Sequence, residues 1–228
     1  IDPEKDIALF QYTGGTTGVP KGAMLTHANL TANVAQVIAW APVVEHGRER
    51  FMAILPFFHV FAMTAIMNFG LKIGARLVLL PRFDLKQAVK EIKRTRPTIL
   101  PGVPTLYTAL LNFPGIRKED LASLKFCVSG GASLPLEVRR RFEAFTGGVL
   151  IEGYGLSETS PVATCNPVGD TSHENTIGQP LPRTIVSIRS TEDPWKEMPL
   201  GEAGEVCIKG PQVMPGYWQR PQETAAVM

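Results

Sequence analysis

Cysteine is scarce in this sequence, and its few copies are far apart. Cys127, Cys165 and Cys207 have neither the close spacing of a metal site nor the even count that is typical of a disulfide framework. Cys127 and Cys207 lie inside apolar runs, so we expect both thiols in the core. This cysteine usage favours a reducing, cytoplasmic setting.

Two further absences narrow the functional class. The formal net charge is only +2, which is too small to indicate a nucleic-acid partner or an anionic membrane surface. No apolar run reaches the roughly 18–20 residues of a membrane span, so we expect no transmembrane segment. The chain opens without an initiator methionine or a signal peptide and stops inside a polar run, so we expect a piece of a longer protein.

What the sequence does contain is a segment rich in glycine and threonine at residues 12–27. Glycine lets successive backbone N–H groups converge on an anion, threonine hydroxyls add donors, and lysine adds a positive charge. The residues of this type are Thr13, Gly14, Gly15, Thr16, Thr17, Gly18, Lys21 and Gly22. Together they predict a loop that binds a phosphate chain.

The neighbours of this loop predict where it lies. The apolar residues 7–10 indicate a buried strand before it, and Thr26 is a candidate N-cap of a helix after it. We therefore expect the loop between a strand and a helix, a good position for a polyphosphate. Pro20 before Lys21 and Gly22 after it break the common nucleotide-loop pattern, in which Ser or Thr follows Gly-Lys. A flexible surface hairpin is the alternative.

A second cluster follows the strand that we predict at residues 149–152. Tyr154 stands between two glycines and can present a flat ring to a base, Ser157 supplies a hydroxyl, and Glu158 supplies the hard oxygens that suit Mg²⁺. The carboxyl ends of strands in open α/β sheets are ligand-binding positions. The alternative is a turn and a capped helix, with Glu158 as a solvated charge.

Two more segments carry candidate ligand contacts. The small residues 129–133 would let a planar ligand approach the backbone, or they form a tight turn into the next helix. Residues 56–63 place three phenylalanines and a methionine around His59, which suits an apolar tunnel with a polar gate. A hydrogen-bonded core histidine is the alternative there. Taken together, the four clusters predict a site for ATP next to an apolar substrate.

The alternation of elements predicts the fold class. Strand-like runs and amphipathic segments alternate through the first two thirds, as in the helix after its cap residue Asp84. The later runs at 185–189 and 205–209 are short and separated by Pro and Gly, which is typical of antiparallel β-structure. We therefore predict an α/β fold, with a parallel-rich sheet and crossover helices at residues 1–170 and a β-rich antiparallel subdomain at 171–228.

Three motifs, in this order, resemble one family. Residues 12–22 read Tyr-Thr-Gly-Gly-Thr-Thr-Gly-Val-Pro-Lys-Gly, residues 154–161 read Tyr-Gly-Leu-Ser-Glu-Thr-Ser-Pro, and residues 204–218 begin Gly-Glu-Val-Cys-Ile-Lys-Gly and end Gly-Tyr-Trp. The chain thereby resembles the adenylate-forming superfamily of acyl-CoA synthetases, peptide-synthetase adenylation domains and firefly luciferase. With residues 58–61 and 129–132 added, it looks most like the bacterial-type long-chain fatty-acid–CoA ligase branch. Gly15 stands where many members carry serine.

The resemblance implies a two-step reaction and a set of residue roles. A carboxylate attacks the α-phosphorus of ATP to give an acyl-adenylate and pyrophosphate, and the thiol of coenzyme A then displaces AMP. Glu158 would bind Mg²⁺, and the catalytic residues would be Lys21, Glu158 and Thr17. By motif position, the nucleotide would be bound by Thr13, Gly14, Gly15, Thr16, Thr17, Gly18, Lys21, Gly131, Ala132, Ser133, Tyr154, Gly155 and Ser157, and the acyl group by Phe58, His59, Phe61 and Met63.

The resemblance also implies that this chain is a partial N-terminal domain. A full member has a segment before it and a C-terminal lid domain after it, so we expect that the isolated chain does not complete either half-reaction efficiently. Its implied partners are fatty acid, ATP and coenzyme A, with peripheral membrane association and a homodimer left open for the full-length enzyme. The alternatives are an aryl or medium-chain acid–CoA ligase and, in a different class, a non-catalytic nucleotide- or acyl-binding fragment.

Overall fold

The computed structural model describes residues 1–13, 20–169 and 174–228. Its strands, in chain order, are β1 (Ile7–Thr13), β2 (Lys21–Thr26), β3 (Arg50–Ala53), β4 (Arg76–Leu79), β5 (Ile99–Gly102), β6 (Phe126–Ser129), β7 (Val149–Gly155), β8 (Val162–Cys165), β9 (Gln179–Pro180), β10 (Ile185–Arg189), β11 (Glu205–Lys209) and β12 (Gly216–Tyr217). They form a seven-stranded sheet, a three-stranded sheet and a two-stranded sheet.

Most helices pack on the faces of the large sheet. Along the sequence, they connect its parallel strands. The helices are α1 (His27–Trp40), α2 (Val60–Ala62), α3 (Phe69–Lys72), α4 (Leu85–Thr95), α5 (Pro104–Leu111), α6 (Lys118–Leu121), α7 (Leu136–Thr146) and α8 (Pro221–Ala225). A π-helical segment, Met63–Asn68, makes α2 and α3 one continuous helical stretch, and a 3₁₀ turn occupies Ser157–Thr159. Within the described residues, we find no helix that is both long and apolar enough to cross a membrane.

The seven-stranded sheet confirms the predicted parallel-rich α/β fold. Its strand order is β4-β3-β5-β6-β7-β8-β9, in which the first five strands are parallel and the last two pairings are antiparallel. Side chains of successive strand residues point to opposite faces, so each strand serves two helical layers. Met52, Leu100, Cys127 and Leu150 pack against α4, α5 and α7, whereas Phe51, Ile99, Phe126 and Ile151 pack against α1 and residues 60–72.

The two predicted helix caps in this fold are confirmed. The Thr26 hydroxyl accepts a hydrogen bond from the backbone N–H of Asn29 at 3.1 Å, and the Asn29 side chain accepts one from the Thr26 N–H at 3.0 Å. The Asp84 carboxylate accepts one from the N–H of Gln87 at 2.8 Å and so caps α4. Both caps satisfy N–H groups that a helix leaves unpaired at its start.

The position predicted for the glycine- and threonine-rich loop is wrong, because a strand rather than a helix follows it. β1 and β2 are antiparallel, with Thr13 opposite Lys21, and β12 pairs with the other edge of β2. The six residues of β2 include glycine and alanine, which are weak strand formers, so its local sequence gave little strand signal. Its backbone partners come from β1 and β12 instead.

β1 itself is a strand, but the prediction that it is buried is wrong. Its residues alternate between half-buried and exposed, and Phe10 is 40% exposed. The three-stranded sheet covers the rest of the molecule with one face only, which leaves the other face of β1 in solvent.

The predicted antiparallel region is confirmed at its centre. β10 and β11 pair in antiparallel register from Ile185 opposite Lys209 to Arg189 opposite Glu205. However, β9 joins the large sheet and β12 joins the small one, so the later part of the chain contributes to all three sheets. The division into domains at residue 170 stays a prediction.

The two cysteines expected in the core have different environments. Cys127 lies on β6 and is completely buried, as expected. Cys207 lies on β11, where only β10 pairs with it, and its side chain is half-buried. The core assignment of Cys207 is wrong because an isolated two-stranded sheet cannot enclose its own side chains.

Candidate functional site

An apolar cavity of about 210 Å³ lies on one face of the large sheet, along β5, β6 and β7 and the residues that follow their carboxyl ends. It separates these strands from α1 and from the helical stretch at residues 60–72. The wall is mainly aliphatic and aromatic, which suits an apolar ligand. The wall includes Val37, Phe61, Phe69, Gly130, Tyr154 and Ser157.

The structure brings two of the four predicted acyl-contact residues to this cavity. His59 and Phe61 lie on its wall. Phe58 is 83% exposed and is not part of the wall, and Met63 packs in a separate apolar cluster with Ala23. The sequence could not separate them, because residues 56–63 turn into a helix that sends neighbouring side chains in different directions.

His59 is neither a core histidine nor an isolated surface residue. Its Nδ1 accepts a hydrogen bond from the backbone N–H of Phe61 at 3.2 Å, at the start of α2. With Nδ1 as an acceptor, the neutral ring carries its proton on Nε2. His59 is exposed, and its side chain therefore brings a hydrogen-bond donor to a mainly apolar wall.

Two glycines of the wall lie in close packing, and at the second of them no side chain fits. A Cβ on Gly130 would lie 3.2 Å from the Phe61 ring. A Cβ on Gly155 would lie well inside the van der Waals radius of the Pro161 carbonyl oxygen, which is backbone and cannot turn away. At Gly153, two residues earlier, the nearest atom would lie at 3.5 Å, an ordinary contact.

A cluster of three side chains, Lys21, Tyr217 and Glu158, lies beside the cavity; we call it the polar cluster. The Tyr217 hydroxyl donates a hydrogen bond to Glu158 Oε1 at 2.6 Å. Lys21 Nζ lies 4.9 Å from the centre of the Tyr217 ring, within the range of a cation–π interaction. Tyr217 is 7% exposed and Glu158 is half-buried.

Tyr217 keeps its proton at neutral pH. Burial is the main cause, and the hydrogen bond to Glu158 and the negative charge of that carboxylate add to it; together they raise the pKa of Tyr217 well above its usual value. The phenol is therefore a fixed hydrogen-bond donor. Sequence reasoning missed this residue, although it lies in the Gly-Tyr-Trp end of the third motif, because nothing local links it to Glu158.

The polar cluster and the cavity share one segment of chain. Residues 154–157 line the cavity, and Glu158 follows directly and faces Tyr217. On the other side, Gln11 Nε2 of β1 donates a hydrogen bond to the Phe58 carbonyl at 3.2 Å, which ties the small sheet to the segment that carries His59. The apolar wall and the polar cluster are therefore joined by one continuous turn of the chain.

α1 attaches the segment before β12 to the rest of the site through asparagine side chains. Asn29 Nδ2 donates to the carbonyls of Pro211 and Val213 at 2.8 and 3.0 Å. Asn33 is fully buried; its amide donates to the Val162 carbonyl at 2.7 Å and accepts from the Val162 N–H at 3.0 Å. One face of α1 therefore binds two segments that are distant from it in the sequence.

Glutamine side chains complete this buried polar network. Gln36 Nε2 donates to Gln212 Oε1 at 3.2 Å, and Gln212 Nε2 donates to Thr184 Oγ1 at 2.7 Å. The Ser160 hydroxyl donates to the Gln212 carbonyl at 2.8 Å. Gln212 is completely buried, so these bonds replace water that its amide cannot reach.

The predicted nucleotide contacts fall in three places. Tyr154, Gly155 and Ser157 lie on the cavity wall. Gly131 also borders the cavity, with φ +78°, whereas Ala132 is exposed beside it. Ser133 borders a second cavity that includes Glu152 and Asn175. Burial raises the pKa of Glu152, a residue that the sequence did not single out.

Much of the predicted phosphate loop falls outside the described residues. Gly14, Gly15, Thr16, Thr17 and Gly18 belong to residues 14–19, which are not among the described residues. The two ends of the loop are fixed, since Thr13 and Lys21 are paired across β1 and β2.

The residues present are compatible with Mg²⁺ as the resemblance implies it. The described part of the chain has no group of three or more His, Cys, Asp or Glu side chains that could hold a metal. Mg²⁺ commonly binds through one or two carboxylates plus substrate phosphates and water, so a single carboxylate fits. Glu158 has one oxygen engaged by Tyr217 and keeps the other for a ligand.

Comparisons with known proteins agree with this architecture. The chain is 50% identical over its whole length to a long-chain-fatty-acid–CoA ligase of Bacillus subtilis and 35% identical over 98% of its length to a feruloyl-CoA synthase of an Amycolatopsis species. It spans 40% and 45% of these two relatives. ATP-bound MatB from Rhodopseudomonas palustris superposes with a TM-score of 0.89 at 33% identity, over 98% of this chain and 43% of that one.

A family model described as AMP-binding enzyme matches residues 1–218. The match includes both ends of the glycine- and threonine-rich loop, the cavity wall and all three residues of the polar cluster. The chain therefore belongs to the AMP-binding enzyme family.

Proposed function

We propose that this chain is the nucleotide- and acyl-binding core of a fatty-acid–CoA ligase, which activates a fatty acid with ATP and transfers the acyl group to coenzyme A. The observation that carries the proposal is that residues 154–157 line the apolar cavity and lead directly to Glu158 of the polar cluster. An alkyl chain suits the cavity, and a polyphosphate suits the polar cluster. The names of the relatives, a long-chain-fatty-acid–CoA ligase and an ATP-bound enzyme, support both halves.

The first step needs no general base. The fatty acid is already a carboxylate, and its oxygen attacks the α-phosphorus of ATP as the bond to pyrophosphate breaks. What the residues contribute is position and charge: Lys21 offsets negative charge on the phosphates, and His59 offers its Nε2 proton near the acyl carboxylate. Removal of one well-placed donor of this kind typically costs about 3–4 kcal/mol of transition-state stabilisation.

In the second step, the thiol of coenzyme A replaces AMP on the acyl group. The thiol of coenzyme A gives up its proton to water as its sulfur attacks the acyl carbon, and AMP leaves with the bonding electrons of the mixed anhydride. Mg²⁺ held by Glu158 would neutralise charge on the phosphates. The Mg²⁺ and coenzyme A assignments, a cytoplasmic location, and any membrane association or homodimer belong to the proposal for the longer protein.

An aryl or medium-chain acid is the second candidate for the acyl group. Phe51, Phe61, Phe69 and Phe126 give the cavity wall an aromatic surface that also suits a ring. One relative is named feruloyl-CoA synthase, and ferulate is an aromatic acid. The choice between the two therefore depends on the shape of the cavity and calls for a direct measurement.

Calorimetric titration with two sulfamoyl-adenosine mimics of acyl-adenylates, one dodecanoyl and one benzoyl, tests the proposal. We expect saturable binding, with the dodecanoyl compound tighter. Tighter binding of the benzoyl compound would transfer the proposal to aryl acids, and no binding of either would contradict it for this chain.

A matched pair of phenylalanine variants locates the acyl group. Phe61→Ala removes part of the cavity wall and should weaken dodecanoyl binding about tenfold, as expected for lost contacts in an apolar pocket. Phe58→Ala removes a ring that is 83% exposed and should leave the affinity unchanged. Equal losses for the two variants would mean that the cavity is not the acyl site.

A further inference from the structure

Tyr217 connects the two charged members of the polar cluster without being charged itself. Its hydroxyl donates to Glu158 Oε1 at 2.6 Å, and its ring lies 4.9 Å from Lys21 Nζ. In the part of the chain that the structure describes, Lys21 and Glu158 form no ion pair with each other. Tyr217 is the side chain that contacts both of them.

We propose that Tyr217 is a positioning residue for Glu158 and Lys21: it holds the carboxylate in one orientation and keeps the ammonium group from pairing with it. This inference rests on the proposed function for the roles of Glu158 and Lys21. Tyr217 is then a third residue of the site. It comes from a strand at the other end of the chain, and no contact with a phosphate or an acyl group is assigned to it.

The backbone around Tyr217 is fixed on three sides, which a positioning residue requires. Its N–H donates to Thr224 Oγ1 at 2.9 Å. The N–H of Trp218, the next residue, donates to the Gly22 carbonyl at 2.8 Å, and the N–H of Met214 donates to the Glu158 carbonyl at 2.8 Å. β12 is therefore attached both to the strand that carries Lys21 and to the turn that carries Glu158.

The hydrogen bond from Tyr217 engages one oxygen of Glu158 and leaves the other for a ligand. One carboxylate oxygen accepts from the phenol, and the other is available to a hard cation in a monodentate arrangement. Without the phenol, the carboxylate would be free to rotate and to accept from the Lys21 ammonium instead. Such a pair would satisfy both charges before any phosphate arrives, and a ligand would first have to break it.

Tyr217→Phe tests this idea because it keeps the ring and its contact with Lys21 and removes only the hydroxyl. We expect the affinity for ATP in the presence of Mg²⁺ to fall about tenfold, as for a lost hydrogen bond to a charged group. The affinity for ATP in EDTA should change much less. Calorimetric titration of the 228-residue chain under both conditions gives the two numbers without requiring catalysis.

Tyr107→Phe is the matched control. Tyr107 is also buried, and its hydroxyl bonds the carbonyls of Leu100 and Val128 at 2.9 Å on the opposite face of the large sheet. Its loss should lower the thermal midpoint and leave the Mg²⁺-dependent gain in ATP affinity unchanged. If Tyr217→Phe behaves like Tyr107→Phe, its hydroxyl is merely structural and the positioning role is overturned.

The Glu158→Ala background separates failure of this inference from failure of the proposed function. If the hydroxyl acts through the carboxylate, adding Tyr217→Phe to Glu158→Ala should cause no further loss. Wild-type binding that is weakened by Glu158→Ala and Lys21→Ala but not by Tyr217→Phe would overturn the positioning role alone. A wild-type chain whose ATP affinity is insensitive to Mg²⁺, Glu158 and Lys21 would overturn the proposed function and this inference with it.

Discussion

The apolar cavity and the polar cluster lie side by side but are built in opposite ways. Strand ends β5, β6 and β7 form the cavity together with the helices that pack on them, and each of these elements has a clear signal in its own stretch of sequence. The polar cluster joins three separate segments, and its Tyr217–Glu158 bond spans 59 positions. The first depends on apolar packing, whereas the second depends on hydrogen bonds between distant parts of the chain.

This difference indicates which positions should tolerate substitution. Apolar packing is spread over many contacts, so a small loss in one side chain has a graded effect. A buried polar group that loses its partner has no substitute, because water cannot reach it. We call the polar cluster and the buried network around Gln212 the polar half of the molecule, and the cavity with its wall the apolar half. The polar half should be more sensitive to substitution than the apolar half. The most sensitive position should be the junction where the chain passes from one half to the other.

The largest effect is expected at Gly155, the last residue of β7 and the junction between the two halves. Gly155→Ala would force its Cβ into the Pro161 carbonyl, and we expect a loss of about 3 kcal/mol in the free energy of unfolding. Gly153→Ala on the same strand meets only ordinary contacts and is the control. Urea denaturation of both variants measures the difference, and equal stabilities would mean that the junction is not tightly packed.

A loss of about 2 kcal/mol is expected for Gln212→Ala, because it removes the buried side-chain hydrogen bonds of Gln212 with Gln36 and Thr184. The same change at Gln87, an exposed residue of α4, should cost less than about 0.5 kcal/mol. Thermal or urea unfolding of the two variants compares them. A Gln212→Ala chain as stable as Gln87→Ala would show that the polar half is no more sensitive than the surface.

A smaller effect is expected in the apolar half. Ile151 is fully buried on β7, and Ile151→Val removes one methylene group without introducing a polar atom. We expect a cost of about 1 kcal/mol and a retained fold, again by urea denaturation. A cost above that of Gln212→Ala would reverse the comparison between the two halves.

The smallest effect is expected for chemical modification of cysteine at pH 8. Iodoacetamide should label the half-buried Cys207 and spare Cys165, since burial raises the pKa of the Cys165 thiol to about 12. Mass spectrometry identifies the labelled residue, and the thermal midpoint should not move. Rapid labelling of Cys165 would mean that the wall of the apolar cavity opens readily.

The same pKa gives the direction of a pH effect on stability. The Cys165 thiol loses its proton near pH 9.0 when unfolded and near 12 when folded, so the folded state holds the proton more tightly. Its contribution to stability is complete below pH 9.0 and is lost as the pH rises toward 12. Urea denaturation between pH 8 and pH 11 should therefore show a decline that a Cys165→Ala variant shows to a smaller extent.

The sequence predicted the parts of the fold that have strong local signals. The amphipathic helix after Asp84, the cap at Thr26 and the strands β10 and β11 all follow from patterns within about a dozen residues, the range over which periodicity acts. The parallel-rich sheet could be predicted because strand-like and helical segments alternate along the chain. Two residues of the cavity wall could be predicted from short motifs. Tyr154 stands between two glycines, and Phe61 follows His59 by two positions.

What the sequence could not predict depends on contacts between remote segments. β2 is a strand because β1 and β12 supply its hydrogen bonds, not because of its own residues. Tyr217 and Gln212 gain their partners only when the chain returns to α1 and to the turn before Pro161. Phe58 was assigned to the tunnel because composition cannot tell which ring of a run points inward.

Calorimetry can decide whether the apolar cavity and the polar cluster act as one site. The 228-residue chain would be titrated calorimetrically with dodecanoate, with AMP, and with the dodecanoyl sulfamoyl-adenosine that joins the two. We predict that the joined compound binds at least about a hundredfold more tightly than either part, because binding of one half positions the other. An affinity no better than that of dodecanoate alone would contradict the claim that the cavity and the polar cluster form a single acyl-adenylate site.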